Sequence, residues 1–139
     1  AAFALGELRD RAGKAAPQLV ELVSHPSEFV RRTAVEALGN IESGPYADAI
    51  VNALTKALKD EDYQVRFWAG LALAKRGPQA ASSVPQLVEA LDDENRYVSG
   101  HAAIALRQIG TPDAMKVLLI YLFNSRWCPI TTPQNQWYP

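Results

Sequence analysis

The sequence predicts an all-α domain, a right-handed α-α superhelix of about eight helices stacked as antiparallel pairs. Three observations carry this expectation. A unit of about 33 residues recurs along the chain. Within each unit the apolar residues return at helical rather than strand spacing. Many of those residues are alanine, which lets neighbouring helices approach closely, as stacked pairs require. No run of alternating polar and apolar residues bounded by hairpin turns is present, so a sheet is not expected.

The repeat is clearest in residues 30–38, 65–73 and 98–106, offset by 35 and then 33 residues. Each opens with valine (Val30, Val65, Val98) and ends with leucine (Leu38, Leu73, Leu106), with Ala34, Ala69 and Ala102 at equivalent places between them. Residues 1–6 match 34–39, so the chain is expected to begin inside the second helix of a repeat. The first helices are residues 17–23, 50–58 and 85–91, the outer two opening on Pro17 and Pro85. Short polar links follow them: His25 to Glu28, Asp60 to Asp62 and Asp92 to Asn95. Their Asp and Asn side chains are suited to capping the next helix and complementing its positive N-terminal dipole. Gly77 with Pro78, and Gly110 with Pro112, supply stop signals for second helices. The extra two residues of one repeat fall in the loop 42–46, where insertion costs little. Val30, Ala34, Ala37, Leu38 and Ile41 form the apolar stripe expected to face the core.

The Asp-x-x-Val-Arg of residues 62–66 and the recurring Ala-x-x-Ala-Leu, with Ile109-Gly110 closing the last second helix, resemble the HEAT repeat, particularly the short HEAT-like repeats of the phycobilisome-lyase type. The resemblance covers roughly residues 1–123, leaving 124–139 as a non-helical Pro- and Trp-rich tail or cap. Ankyrin and tetratricopeptide arrays have similar periods, but their signature residues are missing here. The resemblance implies that the second helices line a concave side. It also implies a ladder between repeats, formed by the link Asp and the Arg after Val. Asp60 or Asp62 and Arg66, with Arg31, match that ladder, while Ser99 interrupts it in the last full repeat and Arg96 is the only nearby substitute.

On a helical wheel, the core stripe of each second helix leaves a flank at 29, 33, 36 and 40. Equivalent positions across the repeats read Phe29, Gln64, Tyr97; Thr33, Trp68, His101; Glu36, Leu71, Ile104; and Asn40, Lys75, Gln108, with Phe3 joining the third set. Aromatic and apolar residues stand where an idle surface would carry Glu and Lys. Trp and Tyr in apolar surroundings are the usual make-up of interface anchors. Trp68, Leu71, Tyr97, His101 and Ile104 are therefore the candidate partner-binding residues, the competing reading being that Trp68, Leu71 and Ile104 pack between helices. The tail is a second candidate. Pro129, Pro133 and Pro139 oppose a regular helix, and Trp127, Trp137 and Tyr138 suit either a cap over the last repeat or a docking motif.

Other chemistry finds little support. With 14 Lys and Arg against 15 Asp and Glu, the net charge of −1 does not advertise nucleic-acid binding, and the candidate face offers a DNA-repair glycosylase only Lys75 and scattered arginines. The single cysteine, Cys128, has no histidine beside it, and His25 and His101 do not complete a zinc site. No Gly-rich phosphate loop or nucleophile elbow occurs. No catalytic residue, metal or resident cofactor is expected. Nor is a membrane span expected: the longest apolar run, 115–123, is short and holds Lys116. A lone thiol suits a reducing compartment, and a cytoplasmic protein that holds another protein is the expected function. The lyase resemblance implies the alternative of a subunit that attaches or detaches bilins on antenna proteins, with a bilin as transient ligand near Trp68, Tyr97 and His101.

The alignment makes Ala69 a helix–helix contact. Ala69→Leu is expected to overpack it at a cost on the order of 1–3 kcal/mol. A denaturant midpoint equal to that of the parent chain would show the core face to be misassigned.

Overall fold

The computed structural model describes residues 13–41 and 44–127. Among these residues it is entirely helical, with seven α-helices and one 3-10 segment: α1 (Ala16–Leu22), α2 (Glu28–Asn40), α3 (Ala47–Ala57), α4 (Tyr63–Arg76), the 3-10 turn Gly77–Ser83, α5 (Val84–Ala90), α6 (Arg96–Ile109) and α7 (Pro112–Trp127). The helices pair as α1–α2, α3–α4 and α5–α6, and the second helices α2, α4 and α6 pack side by side to form a solenoid. Pro17 and Pro85 sit in the first turns of α1 and α5, where a missing N–H costs nothing.

The three links share one turn. Two residues on from each of His25, Asp60 and Asp93, a backbone N–H donates back to that side chain: Ser27 N to His25 Nδ1 at 3.0 Å, Asp62 N to Asp60 Oδ1 at 2.9 Å, and Asn95 N to Asp93 Oδ1 at 2.9 Å. The next helix is then capped as its sequence suggests. Asp62 accepts from Gln64 N, and Asn95 from Tyr97 N. Ser27 makes no such cap. At the far ends, Gly77 (φ 55°) and Gly110 (φ 68°) turn the chain in a backbone region that side chains disfavour.

The core runs along the pair axis. Ala34, Ala69 and Ala102 are all buried, with Leu38, Leu73 and Leu106 fully enclosed beside them. The stripe on α2 is shifted from the one expected: Val35 and Arg31 are buried, whereas Val30 and Ala37 are only partly so. The neighbouring second helix covers a slightly different arc than a lone wheel suggests.

Consecutive second helices approach closely where one contributes a glycine. A Cβ on Gly39 would stand 2.9 Å from the Ala72 Cβ, and one on Gly70 would stand 3.2 Å from the His101 Cβ. Gly100, on the open side of α6, has nothing within 4 Å of that position.

Buried ion pairs stitch the repeats together. Arg31 donates from Nε to Asp60 Oδ2 (2.8 Å) and from Nη2 to Oδ1 (2.9 Å), and its Nη1 reaches the carbonyls of His25 and Pro26. Arg66 repeats the arrangement one unit on, with Asp93 at 2.8 and 3.2 Å and the carbonyls of Asp60 and Glu61. Each Arg therefore joins its own link to the next. Asp62, which the sequence left as an alternative partner, caps α4 instead. The hydrogen bond to Asp60 raises the Arg31 pKa above its ordinary value, against the opposing effect of burial. Ser99 ends the series as expected, and Arg96 does not replace the missing arginine: its guanidinium lies over the Tyr97 ring. A second tie crosses the stack from α4, where Arg76 Nη2 donates to the carbonyls of Leu38 (2.9 Å) and Ile41 (2.8 Å) and so closes the end of α2.

The boundary expected at 124 needs correction. Helix α7 continues to Trp127, so residues 124–127 belong to it rather than to a non-helical tail. The first constraint from proline falls on Cys128, the residue before Pro129, and leaves the preceding residues free to stay helical. Residues 128–139, with Cys128, Trp137 and Tyr138, and the opening stretch with Phe3, lie outside the described residues. Along α7 the outer side is apolar and open: Leu119, Ile120 and Leu122 are exposed, whereas Val23, Leu58 and Leu91, which close the earlier first helices, are buried.

Two measurements check this packing. Gly39→Ala should lower the thermal midpoint although alanine is worth about 1 kcal/mol over glycine in an open helix, and Gly100→Ala should show that gain; equal effects of the two would refute the close approach. Arg66→Ala leaves Asp93 buried without its partner and should destabilise by about 2–4 kcal/mol in denaturant melts, far more than Lys59→Ala at the exposed Lys59–Glu89 pair.

Candidate functional site

The flank singled out from the sequence is a surface of the solenoid. None of Trp68, Leu71, Tyr97, His101 and Ile104 lies in the buried core. Tyr97 is 56% and Ile104 39% exposed, while Trp68, Leu71 and His101 are partly buried. Trp68 does both jobs that the sequence allowed, packing against the core with part of its ring and lining a surface cleft with the rest.

That cleft, of about 370 Å³, crosses the three second helices. Arg32 and Glu36 come from α2, Tyr63, Gln64, Phe67 and Trp68 from the first two turns of α4, and Tyr97 from the start of α6. Their convergence follows from the stacking, because residues on successive turns of one helix meet those at equivalent heights on its neighbours. Phe67 is the residue that sequence reasoning missed. Its ring stands edge-on to Trp68 (5.5 Å, 83°) and against the His101 imidazole (4.6 Å, 61°), so it bridges two candidate residues on different repeats. Its counterparts in the repeat are Arg32 and Gly100, so no aromatic row marks the position. Leu71 and Ile104 do not line this cleft; they lie farther along the same helices, beyond Trp68 and His101.

The polar groups around the cleft are held by local bonds. Gln64 Nε2 donates to Tyr63 Oη (3.3 Å), and Arg96 Nη2 donates to Tyr97 Oη (3.2 Å). His101 Nδ1 lies 2.8 Å from the Tyr97 carbonyl. A carbonyl can only accept, so in this bond Nδ1 carries the proton. Lys75 is tied to Asn40 at 3.2 Å. Arg32 lies over the Phe29 ring, 5.5 Å from its centroid. The Glu36 carboxylate is exposed and, among the described residues, has no ion-pair partner.

A larger cleft of about 460 Å³ lies at the links, between Asp60, Arg66, Glu89 and Asp93. Its charges already satisfy one another through Arg66–Asp93 and Lys59–Glu89, so it is a seam between repeats. Among the described residues no group of three His, Cys, Asp or Glu side chains is placed to hold a metal ion, and no helix is long and apolar enough to cross a membrane.

Comparison with known proteins agrees with this architecture. The sequence profile of HEAT repeats matches residues 1–53 and 51–126. Two crystal structures of engineered proteins are similar in fold. One is 31% identical with a TM-score of 0.62, over 78% of this chain and 51% of the other. The second is 28% identical with a TM-score of 0.60, over 76% of this chain and 51% of the other. The chain thus spans about half the length of the engineered chains it matches. No curated protein matches it.

Proposed function

We infer the function from the premise that this chain belongs to the HEAT-repeat family: it is an interaction scaffold that holds a protein partner on the face built by α2, α4 and α6. The observation that carries this reading is the cleft in which Trp68 and Tyr97, from different repeats, meet around Phe67. Stacking holds these side chains in place before any partner arrives, so little ordering entropy is lost on binding. Leu71 and Ile104 extend the apolar surface along the helices, and His101 closes it beside Phe67.

The bilin reading implied by the lyase-type resemblance would use the same aromatic groups. In the cleft, Arg32 suits a bilin's propionate carboxylates, whereas Glu36, which has no ion-pair partner among the described residues, opposes them. A shifted visible band on incubation with phycocyanobilin would favour it over a protein partner.

Trp68→Ala tests the main reading. A large aromatic at the centre of an interface is worth about 2 kcal/mol or more, so partner capture should weaken at least about tenfold with the helical circular dichroism spectrum retained. Ser99→Ala, off this face, should leave capture unchanged. Undiminished capture by a folded Trp68→Ala chain would rule the face out.

A further inference from the structure

We propose, resting on that reading of the face, that the group the cleft accepts is an arginine side chain of the partner, stacked on Trp68 with its guanidinium edge on the Glu36 carboxylate. The surface already shows what its aromatics take. Arg32 covers Phe29 on one side, and Arg96 covers Tyr97 on the other at 5.0 Å. Between them, no cation among the described residues lies over Trp68, whose ring meets the edge of Phe67. Indole offers the strongest cation-binding face of the aromatic side chains.

The polar lining sets the charge. Glu36 is exposed, lacks an ion-pair partner among the described residues, and opens onto the same cleft as Trp68. An anionic group there would meet this carboxylate directly, and a wholly apolar one would strip its water without replacing it. Tyr63 and Tyr97 already accept hydrogen bonds from Gln64 and Arg96. Of the two charged groups that line it, Arg32 lies over Phe29, and Glu36 has no ion-pair partner among the described residues. A guanidinium meets both requirements together, since its plane stacks on a ring while its edge makes paired bonds to a carboxylate. A lysine ammonium can do one or the other well. Arg32 is the internal competitor: it stands four residues before Glu36, close enough to pair with it on leaving Phe29.

The test uses the full chain and a short Gly-Ser peptide carrying one arginine, with twin peptides bearing lysine, citrulline or glutamate in its place. The Trp68 indole N–H is followed by NMR and identified by its loss in Trp68→Phe. The arginine peptide should shift it saturably, and the isosteric but neutral citrulline peptide should bind about fivefold or more weakly. Glu36→Gln should weaken the arginine peptide by a similar factor. Arg32→Gln should strengthen it by freeing Glu36 of its rival. Equal binding of the citrulline peptide, an unaltered affinity in Glu36→Gln, or no saturable shift overturns the proposal. If that happens while Trp68→Ala still weakens partner capture, the face stands and only the chemistry of its occupant is wrong. If Trp68→Ala leaves capture intact, the scaffold reading of the face fails whatever the peptides do.

Discussion

The close approach of α2, α4 and α6 is the constraint from which the rest of the molecule follows. At Gly39 and Gly70 there is no room for a Cβ without displacement of Ala72 or His101. Side chains larger than these would hold the second helices apart, as larger contact residues do wherever helices pack. Three consequences come from this spacing. Ala34, Ala69 and Ala102 are sealed between helices. Arg76 on α4 can reach the last carbonyls of α2. Phe67 can touch His101 on the next helix, which is what draws the aromatic groups of two repeats into one cleft.

The arginine–aspartate ties serve that spacing from the other end of the helices. Their side chains are about nine-tenths buried, so they are not ordinary surface pairs. A buried charge is tolerated only when its hydrogen-bonding capacity is met, and here the aspartate oxygens also accept a backbone N–H within their own link. The same carboxylate thus shapes the turn into one helix and anchors the arginine of the previous repeat. This double use explains why the link and not the helix body carries the acid. Arg96, three positions before Ser99 at the start of α6, is no substitute for the missing arginine, because its guanidinium lies over the Tyr97 ring.

Much of this was legible in the sequence, because the repeat samples each position several times. The equivalence of Ala34, Ala69 and Ala102 predicted their burial, and Asp62 and Asn95 predicted their caps. Features that belong to one repeat only were harder to see. Phe67 aligns with an arginine and a glycine, so comparing repeats dilutes the signal that the cleft depends on. A ladder between repeats was implied by the resemblance, but which aspartate Arg66 takes is decided by the rise between stacked layers, which no periodicity along one chain records. The 3-10 turn Gly77–Ser83 was read only as a helix stop. The end of α7 was misplaced because proline acts on its immediate predecessor, not on a whole segment.

The position of the cleft within the array has a physical basis as well. A groove on a solenoid needs a layer on each side, and α4 is the second helix whose two neighbours, α2 and α6, are both among the described residues. It is also the helix with aromatic residues on consecutive positions, Phe67 and Trp68, so one ring can support the other from the edge. Trp68 is thereby fixed by Phe67 and the core beneath it while its remaining surface stays accessible. The apolar side of α7 lacks such support. Leu119, Ile120 and Leu122 are exposed along one helix, whereas the cleft sets Glu36 and Gln64 beside its aromatics. An apolar strip can be covered by any suitably shaped hydrophobic surface, but an aromatic cleft whose carboxylate has no ion-pair partner among the described residues discriminates among occupants by charge and geometry.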